Sequence, residues 1–349
     1  LFRSHDGMAI GFYLVKGMNN LVLNCDAHDN YDGYSEGDSG NVDGFGGHAN
    51  KETSTGNIFR GCRAWNNGDD GFDLINCYAS YIIEYCWSFR NGYKPHSIES
   101  SGGNGAGFKS GGYGMGDIKK VPNPIPQHTV RYCLAYYNRQ QGFYSNHHLG
   151  GLIFENNTAY KNPSNYNMLN RKSSNEAVDV PGYGHIIKNN LSLSPRNSGG
   201  FPQHLINVDN TLSEIKNNSF APNDLNLSES DFESLNEQEL MGSRKSDGSL
   251  PDINFLRLTN HANFRFSGMG CFINEEAVDY SWIQEPAIVL ENGVARIVGE
   301  DSKSFNKFYV NGEEVSIENG IVDLTSMSGE LNLKAISENG AVTTLIINK

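Results

Sequence analysis

The sequence predicts an all-β protein: a parallel β-solenoid followed by a small antiparallel β-domain. Three observations carry this. A six-residue motif recurs along the first 220 residues, a Gly-Phe pair recurs beside it, and Asn-Gly dipeptides punctuate the last 60.

The six-residue motif reads Cys25-Asp-Ala-His-Asp-Asn30, Cys62-Arg-Ala-Trp-Asn-Asn67, Cys86-Trp-Ser-Phe-Arg-Asn91, Cys133-Leu-Ala-Tyr-Tyr-Asn138 and Asn157-Thr-Ala-Tyr-Lys-Asn162. Weaker copies start at Asn190 and Asn218. The successive spacings are 37, 24, 47, 24, 33 and 28 residues, a base period of about 24 with insertions. Each copy follows a β-rich run, such as Leu21-Val22-Leu23, Ile82-Ile83 or Leu152-Ile153-Phe154. Short β-runs and Asn/Gly turns at a fixed period are the mark of a solenoid. Three short strands and three turns fit about 24 residues. No amphipathic helical period of useful length occurs before residue 220.

The Gly-Phe pairs are Gly11-Phe12, Gly44-Phe45, Gly71-Phe72, Gly107-Phe108 and Gly142-Phe143. Stacked coils bring equivalent residues into columns about 4.8 Å apart. Aligned on these pairs, Asp43 neighbours Asp70, and Asp73 neighbours Lys109. Asp69 adds a fourth carboxylate beside one lysine. Such a group is suited to a hard divalent cation, with an amine at hand to act as a base.

The repeat fades after about residue 220. Residues 222–252 are rich in Asn, Ser, Asp and Glu and read as a surface segment or helical excursion; Phe255-Leu-Arg-Leu258 then packs back on the solenoid. Four Asn-Gly signals follow, after Glu291, Val310, Glu318 and Glu338. Asn-Gly between β-runs is a strong hairpin signal. The expected organisation is a β-helix domain over 1–270 and a sandwich-like accessory or capping module over 280–349. Trp282, the one Trp of that module, lies at its entrance. Residues 1–13 already read as mid-coil, with no initiator Met and no signal peptide, so further N-terminal coils are expected in the full protein.

The net charge is −13, from 27 basic and 40 acidic residues. This argues against nucleic acid as a partner. No apolar run is long enough to span a membrane. Cys25, Cys62, Cys86 and Cys133 share one repeat position and read as a buried thiol column; Cys77 and Cys271 stand apart.

Asn41-Val-Asp-Gly-Phe45, then Trp65-Asn-Asn-Gly-Asp-Asp-Gly-Phe-Asp73, then Gly107-Phe-Lys-Ser-Gly-Gly112 together resemble polysaccharide lyase family 9. The resemblance covers most of residues 1–200. It implies a right-handed parallel β-helix enzyme that cleaves pectic polysaccharides. It further implies Asp43, Asp69, Asp70 and Asp73 as calcium ligands and Lys109 as Brønsted base. Because a lysine is protonated up to about pH 10 and the aspartates raise that value, an alkaline optimum is expected. His48, Arg171 and Lys172 are candidate substrate contacts, the last two on a coil-end turn. Tyr113 and Tyr144 are candidates for stacking on sugar rings.

Two rival classes fit the residues less well. β-Helical polygalacturonases share an Asn-x-Asp-Gly and an Asp-Asp pair, but their Gly-His-Gly and Arg-Ile-Lys motifs are missing here, and hydrolysis would leave Lys109 without a role. A non-catalytic solenoid with structural calcium leaves it equally idle. Between pectic backbones, the acidic chain favours rhamnogalacturonan I, where neutral rhamnose alternates with galacturonate. Dense basic runs near Lys109 are lacking, apart from Lys119-Lys120. Homogalacturonan, the pectate backbone, is the alternative. A monomer acting extracellularly, at the cell surface or in the periplasm is expected from the polymeric substrate.

Overall fold

The computed structural model describes residues 2–35, 39–113, 121–196, 203–220, 225–272 and 286–349, except 292, 299–301, 319 and 339. Lys119-Lys120 and Trp282 lie outside the described residues. The chain divides into two compact units, one comprising Leu1–Arg257 with Met269–Ile273, the other Leu258–Gly268 with Asn274–Lys349.

The first unit is a parallel β-helix. Three sheets of seven strands each run its length. The first sheet holds Asp26–His28, Arg63–Trp65, Trp87–Phe89, Leu134–Tyr136 and Thr158–Tyr160, the second to fourth residues of the six-residue motifs. The second sheet holds the Gly-Phe segments: Phe12–Leu14, Phe45–Gly47, Phe72–Asp73, Phe108–Lys109 and Phe143–Tyr144. The third holds the β-rich runs, among them Leu21–Leu23, Tyr81–Glu84 and Thr129–Arg131. The register is the one the repeats predict: Phe45 pairs with Phe72, Phe72 with Phe108, and Phe108 with Phe143.

Two inward columns explain the motif. Asn30, Asn67, Asn91, Asn138 and Asn162 form an amide ladder, each Nδ2 donating to the next Oδ1 at 2.9–3.0 Å. All five are fully buried, where an unmatched amide would be costly, so the column is satisfied rung by rung. The cysteines form the second column. The backbone N–H groups of Cys62 and Cys86 each meet the Sγ of the next rung, and at Cys133 the acceptor becomes Asn157 Oδ1. Thiol and amide thus do the same work at one position, which is why the motif passes from Cys to Asn along the chain. All six cysteines are free and buried.

The glycine of each Gly-Phe pair is required by close approach. A Cβ on Gly107 would lie 2.6 Å from Gly142 O and 2.7 Å from Asn138 Nδ2. Behind it the phenylalanine rings of the second sheet stack at 4.8–5.0 Å through Phe12, Phe45, Phe72, Phe108 and Phe143. These rings form the centre of the core.

Residues 225–257 do pack on the solenoid. Two short 3-10 turns, Glu229–Asp231 and Glu237–Met241, cover the aromatic outer column of the first sheet. Tyr136 donates to Glu237, Tyr160 to Glu229, and Phe255 meets the Tyr136 ring edge-on. Asp26 clamps both guanidinium groups of Arg63 and Arg244 at 2.7–3.0 Å. All three side chains are within 3 % of full burial.

In the second unit, a three-stranded and a four-stranded antiparallel sheet share one apolar core that includes Ile288, Phe308, Val322 and Leu331. Val310 pairs with Glu313 around Asn311 and Gly312, both at positive φ, as a two-residue hairpin demands. Glu291 pairs with Val294, and Glu318 bridges Ile321. The Ala341 carbonyl accepts from Ser337 N past the fourth signal. The described residues on either side of each of these four signals therefore pair across it. Among the described residues, no helix is long and apolar enough to cross a membrane.

Candidate active site

The second sheet builds the site from one outward column. The residue after each phenylalanine is Tyr13, Gly46, Asp73, Lys109 and Tyr144 in register order. Lys109 thus stands between Asp73 and Tyr144. Its ammonium is 3.0 Å from Asp73 Oδ2 and 3.0 Å from Asp70 Oδ2, and the residue is only 8 % exposed.

The turns before these strands add the other acids. Asp43 Oδ1 accepts from the Asp70 amide at 3.1 Å, tying the two coils together. Asp70 Oδ1 accepts from the Ala106 amide at 2.6 Å, while Asp70 Oδ2 is buried without a hydrogen-bond donor aligned on it. Asp73 Oδ1 accepts from Ile75 N at 2.8 Å. Ligand oxygens of Asp43, Asp70 and Asp73 all lie within 4.8 Å of one another. Asp69, expected as the fourth of the group, is set differently. It is buried alongside them, but its Oδ1 accepts from the Asn104 amide, and it is not one of the three that converge.

The electrostatics are those of crowded carboxylates. Burial pushes Asp43 well above the usual carboxylate range, and Asp73, Asp70 and Asp69 push it further. Asp70 moves the same way, from burial against the opposing pull of Lys109. Asp73 ends below its ordinary value, because Lys109 and His48 together outweigh its burial. Burial alone would lower the Lys109 ammonium; the four carboxylates overrule it and raise it well above a normal lysine. A dication among these oxygens would relieve the crowding. The donor set fits a hard cation such as calcium, being all carboxylate with no thiol or imidazole among the three.

The remaining sequence candidates fall in different places. His48 lies at the cluster's edge, its Nε2 3.8 Å from Asp73 Oδ2 and its Nδ1 3.1 Å from the Tyr13 hydroxyl. Tyr144 lies beside Lys109, with its hydroxyl 2.9 Å from His147 Nε2. Tyr113 is buried, its hydroxyl donated to Cys77 O and its ring stacked on His148. Arg171 and Lys172 are on a strand, Asn170–Ser173, rather than a turn. This strand pairs antiparallel with Glu176–Val180 in a hairpin inserted between two coils. Side-chain Arg171 is nearly buried, 3.6 Å from Asp179 Oδ1; Lys172 points to solvent and pairs with Glu176.

Sequence reasoning missed Tyr13, His147 and Asp179. Tyr13 was recoverable, since it heads the same column as Asp73 and Lys109. His147 lies three residues past Tyr144, but nothing in the repeat brings Asp179 to it.

Comparison with known proteins agrees with this architecture. Residues 1–214 match the family model described as Pel9A-like, right handed beta helix region, and residues 209–344 match one described as Rhamnogalacturonan lyase-like, C-terminal. Pectate lyase L of Dickeya chrysanthemi is 35 % identical over 265 residues, covering 76 % of this chain and 54 % of the relative. Pectate lyase PEL9 of Emericella nidulans is 29 % identical over 264 residues, covering 70 % and 57 %. Among solved structures, a rhamnogalacturonan lyase aligns with TM-score 0.70 and 55 % identity over 77 % of this chain and 64 % of that one. Pectate lyase Pel9A aligns with TM-score 0.62 and 31 % identity over 78 % and 64 %. The chain spans about half the length of the curated relatives it matches. The chain belongs to the Pel9A-like right-handed β-helix family, the polysaccharide lyase family 9 that its motifs resemble.

Proposed function

We propose that this protein is a calcium-dependent lyase that cleaves a pectic backbone by β-elimination at galacturonosyl units. The observation that carries the reading is one buried lysine held 3.0 Å from two buried aspartates on a rigid sheet. A two-carboxylate hydrolase gives this lysine no task.

In this reading Asp43, Asp70 and Asp73 hold the cation, with Asp69 fixed beside them by the Asn104 amide. Bound calcium would balance their charge and polarise the substrate carboxylate, stabilising the negative charge that develops next to C5. Lys109 takes the C5 proton. It must be neutral to do so, and the carboxylates that raise its pKa make activity climb toward alkaline pH. His48 and Tyr144 flank the reacting unit along the column, while Arg171 and Lys172 sit on the hairpin as contacts for a neighbouring uronate. Tyr113 takes no part, because its hydroxyl and ring are both committed to packing.

Rhamnogalacturonan I is the preferred backbone. Support comes from the 55 % identity to a rhamnogalacturonan lyase, against 35 % for pectate lyase L, and from the rhamnogalacturonan lyase-like match over residues 209–344. Homogalacturonan is the second reading, favoured by the several relatives called pectate lyases. A secreted monomer acting on the extracellular polymer completes the proposal.

The test is ultraviolet absorbance of the 4,5-unsaturated product. Rhamnogalacturonan I and polygalacturonate are compared with calcium and with chelator, for wild type and Lys109→Ala. Calcium-dependent absorbance that Lys109→Ala abolishes is the expected result. New reducing ends without absorbance would mean hydrolysis and sink the role given to Lys109.

A further inference from the structure

β-Elimination moves two protons. One leaves C5; the other must reach O4, the glycosidic oxygen that departs from C4. A sugar alkoxide is a poor leaving group, so an acid at O4 assists the step. The converging aspartates are turned toward the cation site and Lys109 is the base, so the lyase reading leaves the second proton without a donor.

The neighbour of Lys109 on the other side supplies one. Tyr144 pairs directly with Lys109 in parallel register, one rung or about 5 Å along the sheet. C5 and C4 are adjacent carbons, so a base and an acid on successive rungs match the scale of the reacting unit. The Tyr144 hydroxyl is 2.9 Å from His147 Nε2, and His147 Nδ1 is 2.6 Å from Asp179 Oδ1. The Arg171 guanidinium lies 3.6 Å from the same Asp179 oxygen and fixes that end of the chain. The chain runs from a partly buried phenol to a carboxylate whose side chain is 45 % exposed.

We infer that Tyr144 is the acid of the elimination, donating its hydroxyl proton to O4, with His147 and Asp179 as the relay that restores it. This rests on the lyase reading. Lys109 takes hydrogen from C5 as a proton, the C–H electron pair becomes the C4=C5 double bond, and the C4–O4 bond breaks with its pair going to oxygen. O4 takes the phenolic proton. The phenolate then regains a proton through His147, which Asp179 holds at Nδ1 and solvent reaches. Burial, with Asp179 adding to it and Lys109 opposing, raises the phenol to about 12, so it stays protonated until an alkoxide forms beside it.

The experiment compares leaving groups. Tyr144→Phe removes one oxygen and leaves the stacked column in place. Asp179→Asn, on the hairpin, interrupts the relay without touching the sheet. On the pectic polymer, Tyr144→Phe should lose about 10²–10⁴ in kcat, with KM and melting temperature little changed and Asp179→Asn losing less. On a galacturonate carrying 4-nitrophenyl at O4, whose leaving group needs no proton, both variants should match wild type. Equal losses on the two substrates, or no loss on either, would overturn the acid role. If wild type releases no unsaturated product from any pectic backbone, the lyase reading itself has failed, an outcome separable from the failure of Tyr144 alone.

Discussion

Replacing Asn91 by Leu tests how the solenoid holds its site. Asn91 Nδ2 donates to Asn138 Oδ1 at 3.0 Å, Ala64 O at 3.1 Å and Ser88 Oγ at 3.0 Å. Its Oδ1 accepts from Asn67 N at 3.1 Å and from Asn67 Nδ2 at 2.9 Å. Leucine makes none of these bonds. Ser88 keeps its bond to Gly107 O and Asn138 Oδ1 keeps the Asn91 backbone amide. Two buried groups lose their partner: Asn67 N and one Asn67 Nδ2 hydrogen. At about 1–3 kcal/mol per unsatisfied buried group, the loss is roughly 2–6 kcal/mol, much of the stability of an ordinary domain. Asn30, at the ladder's first rung, donates to Ser4 O at 3.3 Å and accepts from Gly7 N near the surface, where water replaces lost partners. Asn30→Leu also takes the Nδ2 donor from one buried acceptor, Asn67 Oδ1, and should therefore cost less than Asn91→Leu but not nothing. Urea denaturation followed by circular dichroism measures both. A cost below about 1 kcal/mol for Asn91→Leu, or one equal to that of Asn30→Leu, would refute the ladder as the source of coil stability.

Calcium should raise the melting temperature of wild type, by about 2.7 kcal/mol of stability at 100-fold excess over Kd. Asp70→Asn should lose that increment. In chelator it should be at least as stable as wild type, because the folded protein disfavours the Asp70 carboxylate; an unchanged calcium shift would exclude Asp70 as a ligand. Acid should destabilise the β-helix through its buried imidazoles. Burial lowers His148 and His185 to about 4 and lowers His128 as well, whereas the unfolded chain takes up protons near 6.5. Between those values the unfolded state binds more protons, so stability is intact above the unfolded pKa and falls as pH drops toward 4. The loss is on the order of 2 kcal/mol per histidine by pH 5. A denaturation midpoint that stays flat from pH 7 to pH 5 would contradict this.

The fold was legible because the repeat is written in residues that have little choice. Only glycine fits where Gly107 meets the next coil, and only an amide both donates and accepts along the ladder at Asn91. Those two constraints set the register, and the register alone places Asp73 against Lys109. Side-chain direction was not legible. Asp69 and Asp70 are adjacent in sequence, yet one turns to the Asn104 amide and the other to Lys109. Arg171 and Lys172 were misread as turn residues because their hairpin is an insertion that the period does not describe. The link from Tyr144 through His147 to Asp179 was hidden for the same reason.

The departures from the repeat surround a bare coil that itself carries Asp69, Asp70 and Asp73. A bare coil is 24 residues, as from Asn67 to Asn91 or from Asn138 to Asn162. The 37-residue step from Asn30 to Asn67 makes room for Asp43. The 47-residue step from Asn91 to Asn138 carries the loop whose Asn104 and Ala106 amides seat Asp69 and Asp70, and it carries Lys109 itself. The 33-residue step from Asn157 to Asn190 carries the hairpin with Arg171 and Asp179. Inward positions can change only to a residue that still satisfies the next rung, as where Asn157 follows Cys133. Insertions leave those positions untouched and lengthen only the turns. Like charges can therefore be crowded on the outer face, at a cost that the ladder and the stacked phenylalanines beneath them absorb. Exchanging the 170–180 hairpin should therefore leave Lys109 and its aspartates in register, and a shift in backbone preference would place substrate contacts on that insertion.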